Sequence, residues 1–572
     1  MCLESIQLLT KQNQYILSFF SGISVILLKF NMNKHIILFF ILLSLHGTKS
    51  LAQYISTVSY PDKNITKSTE TNDPSYRIAS MISSESLKKH LYILASDSME
   101  GRETGQKGIQ QASAYLQAAI QNAGLLKPPG AEGHFQNVAF TFSKWKETSI
   151  TANKTRYRHL WDYIMIHESN VSIPVLNTNE VVFLGYGIDD PKYSDYKKTD
   201  VKNKVILINK GEPMDRNGNF IISGNKNESV WTADINKKLE VAKSKGATLV
   251  LIIEEDVKKL LEENRRKLLG GSMQLGNEFQ KTITTANHIF ISSTIAKDII
   301  GQNEDKILKA RKKMAKGKPS ATILTTDLNI QMEKEMNVLE GQNIIGYIKG
   351  KSKPEEYIVV SAHYDHLGKR GDEIFNGAND NGSGTVAILG IAQAMAKAEK
   401  EGISPNRSII FLWVCGEEKG LLGSKYYTEN PVFPLAKTIM NVNVDMVGRS
   451  DEKYSGGEEF IYIIGSDRLS TDLHKINENI NQKYTQMIMD YTYNDEADPN
   501  RYYYRSDHYN FASKGIPAIF YFNGTHADYH RTTDDVEKID FDLMKKTAQL
   551  IFHTTWDVAN RPEKIVVDGV VK

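Results

Sequence analysis

Cysteine is nearly absent from this sequence: 572 residues contain only Cys2 and Cys415. That excludes a disulfide-stapled scaffold and leaves no set of thiolates to hold zinc. Net charge is nearly absent too, because 70 Lys and Arg against 68 Asp and Glu leave +2. Such a balance gives no electrostatic reason to bind nucleic acid or an anionic membrane surface, and neither is expected as a partner. The sequence shows no internal repeat and no low-complexity tract. Its one Gly-Ser-Gly segment, residues 382–384, lacks the Lys-Ser/Thr of a phosphate-binding loop. What is present, 41% hydrophobic and 24% charged residues, is an ordinary globular composition long enough for two or three domains.

Two apolar stretches lie at the N-terminus, residues 15–30 and 36–45. Lys34 precedes the second, and Ser50 and Ala52 follow it at the spacing of a cleavage site. A positive start, a short apolar run and small residues describe a secretory signal peptide. Residues 1–52 therefore read as a signal, Met32–Ala52, behind an over-extended start. The mature chain is expected to begin near Gln53 and to be secreted or periplasmic, with no stable membrane partner after cleavage. The rival reading is a membrane anchor, but the second stretch is short for the roughly 20 residues that span a bilayer.

Residues 53–83 are polar and read as a linker. From Ser84 the spacing predicts two helices, then a strand at FQNVAFTFS, with no clear signal over 150–170; the stretch 84–170 as a whole is expected to be a mainly helical segment packing on the later α/β domain. Leu87, Leu91 and Leu94 share one helix face, and Gly124 closes a second helix. Residues 175–325 hold alternating strand-like runs around one clear helix and no acidic-histidine cluster. They read as a separate β-rich insert, with the charged stretch 256–269 a solvated helix. Residues 335–565 read as an α/β domain whose short apolar runs are buried strands.

Side chains suited to a metal recur at the ends of those runs. His363, Asp365 and His366 follow YIVVSA, and Asp380 lies in NGANDNGSGT. Glu417 and Glu418 follow SIIFLWVC, Asp445 follows TIMNVNV, and His530 lies in ADYHRTTDD. Loops beyond strand C-termini form the ligand crevice of an open α/β sheet, so these groups can converge. Taken singly, each has a plainer reading: a polar turn, an acid-rich helix start, a cap, a surface histidine. Taken together, they supply the five imidazole and carboxylate donors that two zinc ions sharing a bridging carboxylate require, namely His363, Asp380, Glu418, Asp445 and His530. Glu417 is then free to act as general base toward water. Asp365 is placed to accept a hydrogen bond from a ligand imidazole. His90, His134, His159, His167, His288, His474 and His553 have no such context and read as structural or surface residues.

The segments SAHYDHLG, NGANDNGSG, GEEKGLLGS, VDMVG and YHRTTDD resemble, in order and spacing, the M28 family of zinc metallopeptidases, in its bacterial aminopeptidase-like branch. Residues 175–325 resemble a protease-associated domain, and SESLKKHLYILASDSMEGRETG resembles the segment that precedes it in such proteins. The resemblance implies a mixed, mostly parallel sheet flanked by helices, with that domain inserted. It also implies two Zn2+ per chain and a peptide or protein substrate. By motif, His363 and Asp445 would hold one ion, Glu418 and His530 the other, and Asp380 would bridge them. Glu417 would be the general base, Tyr529 an oxyanion-stabilising group, and Asp507 an acid behind the ligands. The activity so implied is aminopeptidase. A carboxypeptidase of the same family is the alternative, with Arg449, Arg505 or Arg531 as its carboxylate clamp. A glutaminyl-cyclase-like enzyme would use a single zinc, and an inactive, transferrin-receptor-like binding protein would have lost ligands.

Overall fold

Apolar runs without alternation make strands buried on both faces, and four of them form the centre of the molecule. They lie in the order Ala518–Phe522, Thr438–Val444, Lys353–His363, Arg407–Val414, each parallel to its neighbour. Arg407–Val414 is buried at every residue, as is Ala518–Phe522. Antiparallel strands flank them, Phe460–Ile464 on one side and Thr322–Ile348 on the other. The computed structural model describes residues 57–276 and 283–571, so the expected signal peptide Met32–Ala52 lies outside the described residues.

Helices that bury apolar faces in the same core as this sheet include Ser84–Leu94, Lys107–Ala123, Gly384–Lys400 and Phe541–Asn560. Ser83 caps the first through its hydroxyl and buries Leu87, Leu91 and Leu94 beneath it. Gly124 ends the second at φ 98°, its N–H meeting the carbonyls of Ile120 and Gln121. Gly384–Lys400 is the innermost, with only four of its 17 residues not fully buried.

Thr322–Ile348 is 27 residues long and joins two halves of one sheet. Along most of its length it pairs with Phe135–Ala152. Its first part also pairs with Ile173–Gly185 and its last part with Arg407–Val414. Beyond Ile173–Gly185 the sheet continues through Val205–Asn209, Leu249–Glu254 and His288–Ser292, all parallel, over separate apolar clusters.

Two expectations need correction. The 175–325 segment is not simply β-rich: helices Ile235–Ser244, Val257–Gly270, Ser293–Ile300 and Glu304–Met314 alternate with its strands. Ile235–Ser244 and Val257–Gly270 are the clear helix and the charged helix that the sequence suggests, and Ser293–Ile300 and Glu304–Met314 are additional. The 53–83 stretch is not a free linker where it is described. Val58–Ser59 pairs with Asp490 and Met489 as an edge strand. Asp73 caps the helix Pro74–Ala79 and also accepts from Tyr484 at 2.5 Å.

Candidate metal centre

Three of the predicted ligands, His363, Glu418 and Asp445, sit at or just beyond the C-terminal end of a parallel strand. His363 ends Lys353–His363, Glu417 and Glu418 follow Arg407–Val414, and Asp445 follows Thr438–Val444. His530 comes from the loop after Ala518–Phe522 and adopts φ 57°, a left-handed conformation costly for a histidine and held by its surroundings. Asp380 lies in the tight turn before Gly384–Lys400, ahead of a cis bond to Asn381.

The sequence-predicted donors converge. Asp380 turns Oδ1 toward His363 Nε2 at 3.5 Å and Oδ2 toward His530 Nε2 at 3.0 Å. His363 Nε2 also stands 3.3 Å from Asp445 Oδ1, and His530 Nε2 stands 3.3 Å from Glu418 Oε1. One carboxylate thus faces two half-sites, one made by His363 and Asp445, the other by Glu418 and His530. Glu417 stands beside the first half-site, its carboxylate within 4.8 Å of the His363 and Asp445 donor atoms. All are imidazole nitrogen or carboxylate oxygen, the donors zinc takes in catalytic sites. Asp445 Oδ1 is buried without a hydrogen-bond partner while Oδ2 accepts from Ser506 at 2.8 Å. A buried carboxylate oxygen left over in this way suits a cation, so the residues fit the group.

His366 is the donor that sequence reasoning missed. Its Nδ1 lies 3.1 Å from Glu418 Oε1 and 3.8 Å from Asp380 Oδ2, and neither ring nitrogen makes a hydrogen bond. With Asp380 and Glu418 it forms a fully buried cluster of metal-ligating type. The signal was present in HYDH, whose second histidine lies three residues after the first.

Asp365 departs from its expected role. His363 Nδ1 hydrogen-bonds the backbone carbonyl of Asp365 at 3.1 Å, while the carboxylate is 3.7 Å away. That carboxylate accepts instead from the N–H groups of Glu417 and Glu418 and from the Thr104 hydroxyl. It therefore orients the glutamate turn rather than the imidazole. Asp507 accepts from Ser424 at 2.5 Å, and burial, with Asp365 and Asp445 nearby, pushes it up to about 7. Tyr529 stacks on His530 with ring centroids 3.8 Å apart and lines the same cavity as Asp380, Glu417 and Asp445.

The environment drives the two adjacent glutamates apart. Burial raises Glu417 well above the usual carboxyl range, with Glu418 and Asp445 adding to burial against His363. Glu418 is held well below that range, because His366 and His530 outweigh burial. The two adjacent carboxyls therefore differ in proton affinity, Glu417 holding a proton more tightly than Glu418. His363 rises well above the ordinary imidazole value, since Asp445 and Glu417 overcome burial.

Residues 343–555 match the model for peptidase family M28. The chain is 31% identical over 231 residues to leupeptin-inactivating enzyme 1 of Streptomyces exfoliatus, covering 40% of this chain and 45% of that protein. It is 28% identical over 231 residues to aminopeptidase YwaD of Bacillus subtilis (strain 168), covering 39% and 46%. The chain spans about half the length of these curated relatives. Among solved structures it resembles an aminopeptidase from Aneurinibacillus sp. strain AM-1, with TM-score 0.51 and 19% identity, covering 87% of this chain and 98% of that one. At that identity the likeness establishes the fold: a mixed, mostly parallel sheet flanked by helices.

Proposed function

We propose that this protein, whose residues 343–555 match the model for peptidase family M28, is a di-zinc exopeptidase that releases N-terminal residues from peptides. The observation that carries the reading is Asp380, whose two oxygens face two separate imidazoles. Asp380 would hold both ions, with His363 and Asp445 on one and Glu418 and His530 on the other. Zinc bound there supplies Lewis-acid polarisation of the scissile carbonyl and eases deprotonation of water.

The chain's own groups do the rest. Glu417, beside the first half-site, takes the proton of the attacking water and passes it to the departing amine. Tyr529, on the cavity wall beside Glu417, donates toward the oxygen on which negative charge develops. The carboxylates of the centre favour a substrate that brings a free α-ammonium. The 175–325 segment is read as a protease-associated domain, and the mature protein as exported after cleavage of Met32–Ala52.

One observation favours a second reading. Arg505 lines the cavity and lies 4.8 Å from the Tyr502 ring centre, and among the described residues no carboxylate pairs with it. Arg449, by contrast, is engaged by Asp528 at 2.8 Å. A free guanidinium at the cavity wall suits a terminal carboxylate, as in a carboxypeptidase. A panel of short peptides with free, N-acetylated and C-amidated ends, run alongside a zinc count, separates the two. Cleavage lost on acetylation and kept on amidation, with two zinc per chain, is expected. The reverse pattern would transfer the reading to Arg505 and a carboxypeptidase, and one zinc at full activity would sink the two-ion centre.

A further inference from the structure

Two residues far upstream of the family-matched segment, Arg102 and Thr104, are built into the metal centre from below. Arg102 is buried, and its guanidinium donates to four backbone carbonyls: Leu94 at 2.6 Å, Asn376 at 2.7 Å, Tyr364 at 2.8 Å and Gly377 at 2.9 Å. Its own carbonyl accepts from the N–H of His366 at 3.2 Å. The loop of His363 and His366 is thereby tied to the loop that delivers Asp380. To place it, the backbone runs left-handed through Glu100, Gly101 and Arg102, at φ 46°, 64° and 52°. At Gly101 a Cβ would lie 2.4 Å from the carbonyl oxygens of both Gly368 and Phe375, so only glycine fits. Conformations of that cost persist where the surrounding contacts over-determine them.

Thr104 carries the connection to the remaining loop. Its hydroxyl accepts from Gly416 N–H at 2.9 Å and donates to Asp365 Oδ2 at 3.1 Å. Asp365 in turn accepts from Glu417 N–H at 3.2 Å and from Glu418 N–H at 3.4 Å. One buried hydroxyl therefore links the start of the glutamate turn to the carboxylate that orients it. Three ligand-bearing loops of the centre are coupled through this upstream turn.

We propose that Thr104, delivered by the Arg102-anchored turn, is a positioning residue of the metal centre that sets zinc affinity by orienting Asp365 and the Glu417–Glu418 turn. The inference rests on the metallopeptidase reading of that centre. The Thr104 hydroxyl hydrogen-bonds Asp365 and Gly416, so its action passes through them. Partners behind metal ligands commonly govern affinity by 10- to 100-fold, and roughly that range is expected here.

The test is made on the full chain with Thr104→Val and Thr104→Ser. Zinc Kd is measured by competition against a chelator of known affinity, and the melting midpoint of the metal-free protein is recorded alongside. Valine keeps the shape of threonine and loses both hydrogen bonds, whereas serine keeps them. Thr104→Val is expected to raise zinc Kd by about 10- to 100-fold with the metal-free midpoint little changed, and Thr104→Ser to restore wild-type affinity. Wild-type zinc affinity in Thr104→Val would overturn the proposal. So would a Thr104→Val protein that fails to fold, or a loss that serine does not restore, since the contact would then hold the fold and not the centre. If the wild-type chain itself binds no zinc, the metallopeptidase reading fails, and that result is distinguishable because it appears before any substitution.

Discussion

At the scale of single residues, the centre sets two neighbouring carboxyls in opposite environments. Glu417 and Glu418 are adjacent, yet burial lifts one carboxyl while two imidazoles depress the other. Glu417→Gln should accordingly leave zinc content unchanged and lower kcat by about 10²–10⁴-fold, because the amide cannot accept a proton. Near-normal kcat in the zinc-loaded variant would remove Glu417 from the mechanism. These residues were legible in the sequence because each is an acid or histidine closing an apolar run. His366 was missed because a motif read by its first histidine does not reveal that the second turns to the same centre. Arg102 and Thr104 were beyond reach for a different reason. They lie 262 and 261 residues before the groups they bind, Tyr364 and Asp365, so the resemblance of the segment around them says nothing of a contact with the centre.

At the scale of elements, the turn into Gly384–Lys400 is where sequence and site meet most tightly. A Cβ on Gly384 would lie 2.3 Å from Asn381 Oδ1 and 2.4 Å from the Val444 carbonyl oxygen. Asn381 Oδ1 accepts from Gly384 N–H at 2.9 Å and from Met446 N–H at 3.1 Å. A methyl group there must push apart the Asp380 turn and the strand end that carries Asp445. Gly384→Ala should therefore cost about 1–3 kcal/mol, the range for overpacking, and leave protein that retains less than the wild-type zinc complement. Gly270 ends the helix Val257–Gly270 with nothing near its added Cβ, so Gly270→Ala is the neutral comparison. Thermal melts and elemental analysis of the two variants decide it, and equal behaviour would mean the turn yields without cost. The buried central strands were readable from their unbroken apolar runs. Of the helices in residues 235–314, Ser293–Ile300 and Glu304–Met314 were harder: the first is only eight residues long, and charge dominates the second.

At the scale of the whole molecule, the first described residues close on the last helix. Ser75 Oγ and His553 Nδ1 meet at 2.7 Å, and the His553 ring stacks on Tyr484 with centroids 3.9 Å apart and planes 5° from parallel. Polar composition makes 53–74 read as a linker, because a short edge strand and a capping aspartate leave no periodic signal of their own. Burial, against a smaller opposing pull from Asp73, lowers His553 to about 3, so it stays neutral in the fold when an unfolded chain would protonate it near 6.5. The sign follows from linkage. Below pH 6.5 the unfolded state binds a proton that the folded state refuses, so the contribution of His553 to stability is complete above that pH and is lost as pH falls toward 3. Asp195, which burial raises to about 6, acts with the opposite sign, so the slope of the wild-type curve alone does not isolate the histidine. The comparison with His553→Asn does, because every other titrating group is shared. At pH 7.5 the variant should be the less stable protein, and by pH 5 the gap should narrow by about 2 kcal/mol, read from denaturant midpoints at each pH. Two stability curves that stay parallel from pH 7.5 to 5 would show that His553 titrates alike in both states, and that this seam between the chain's beginning and end admits water.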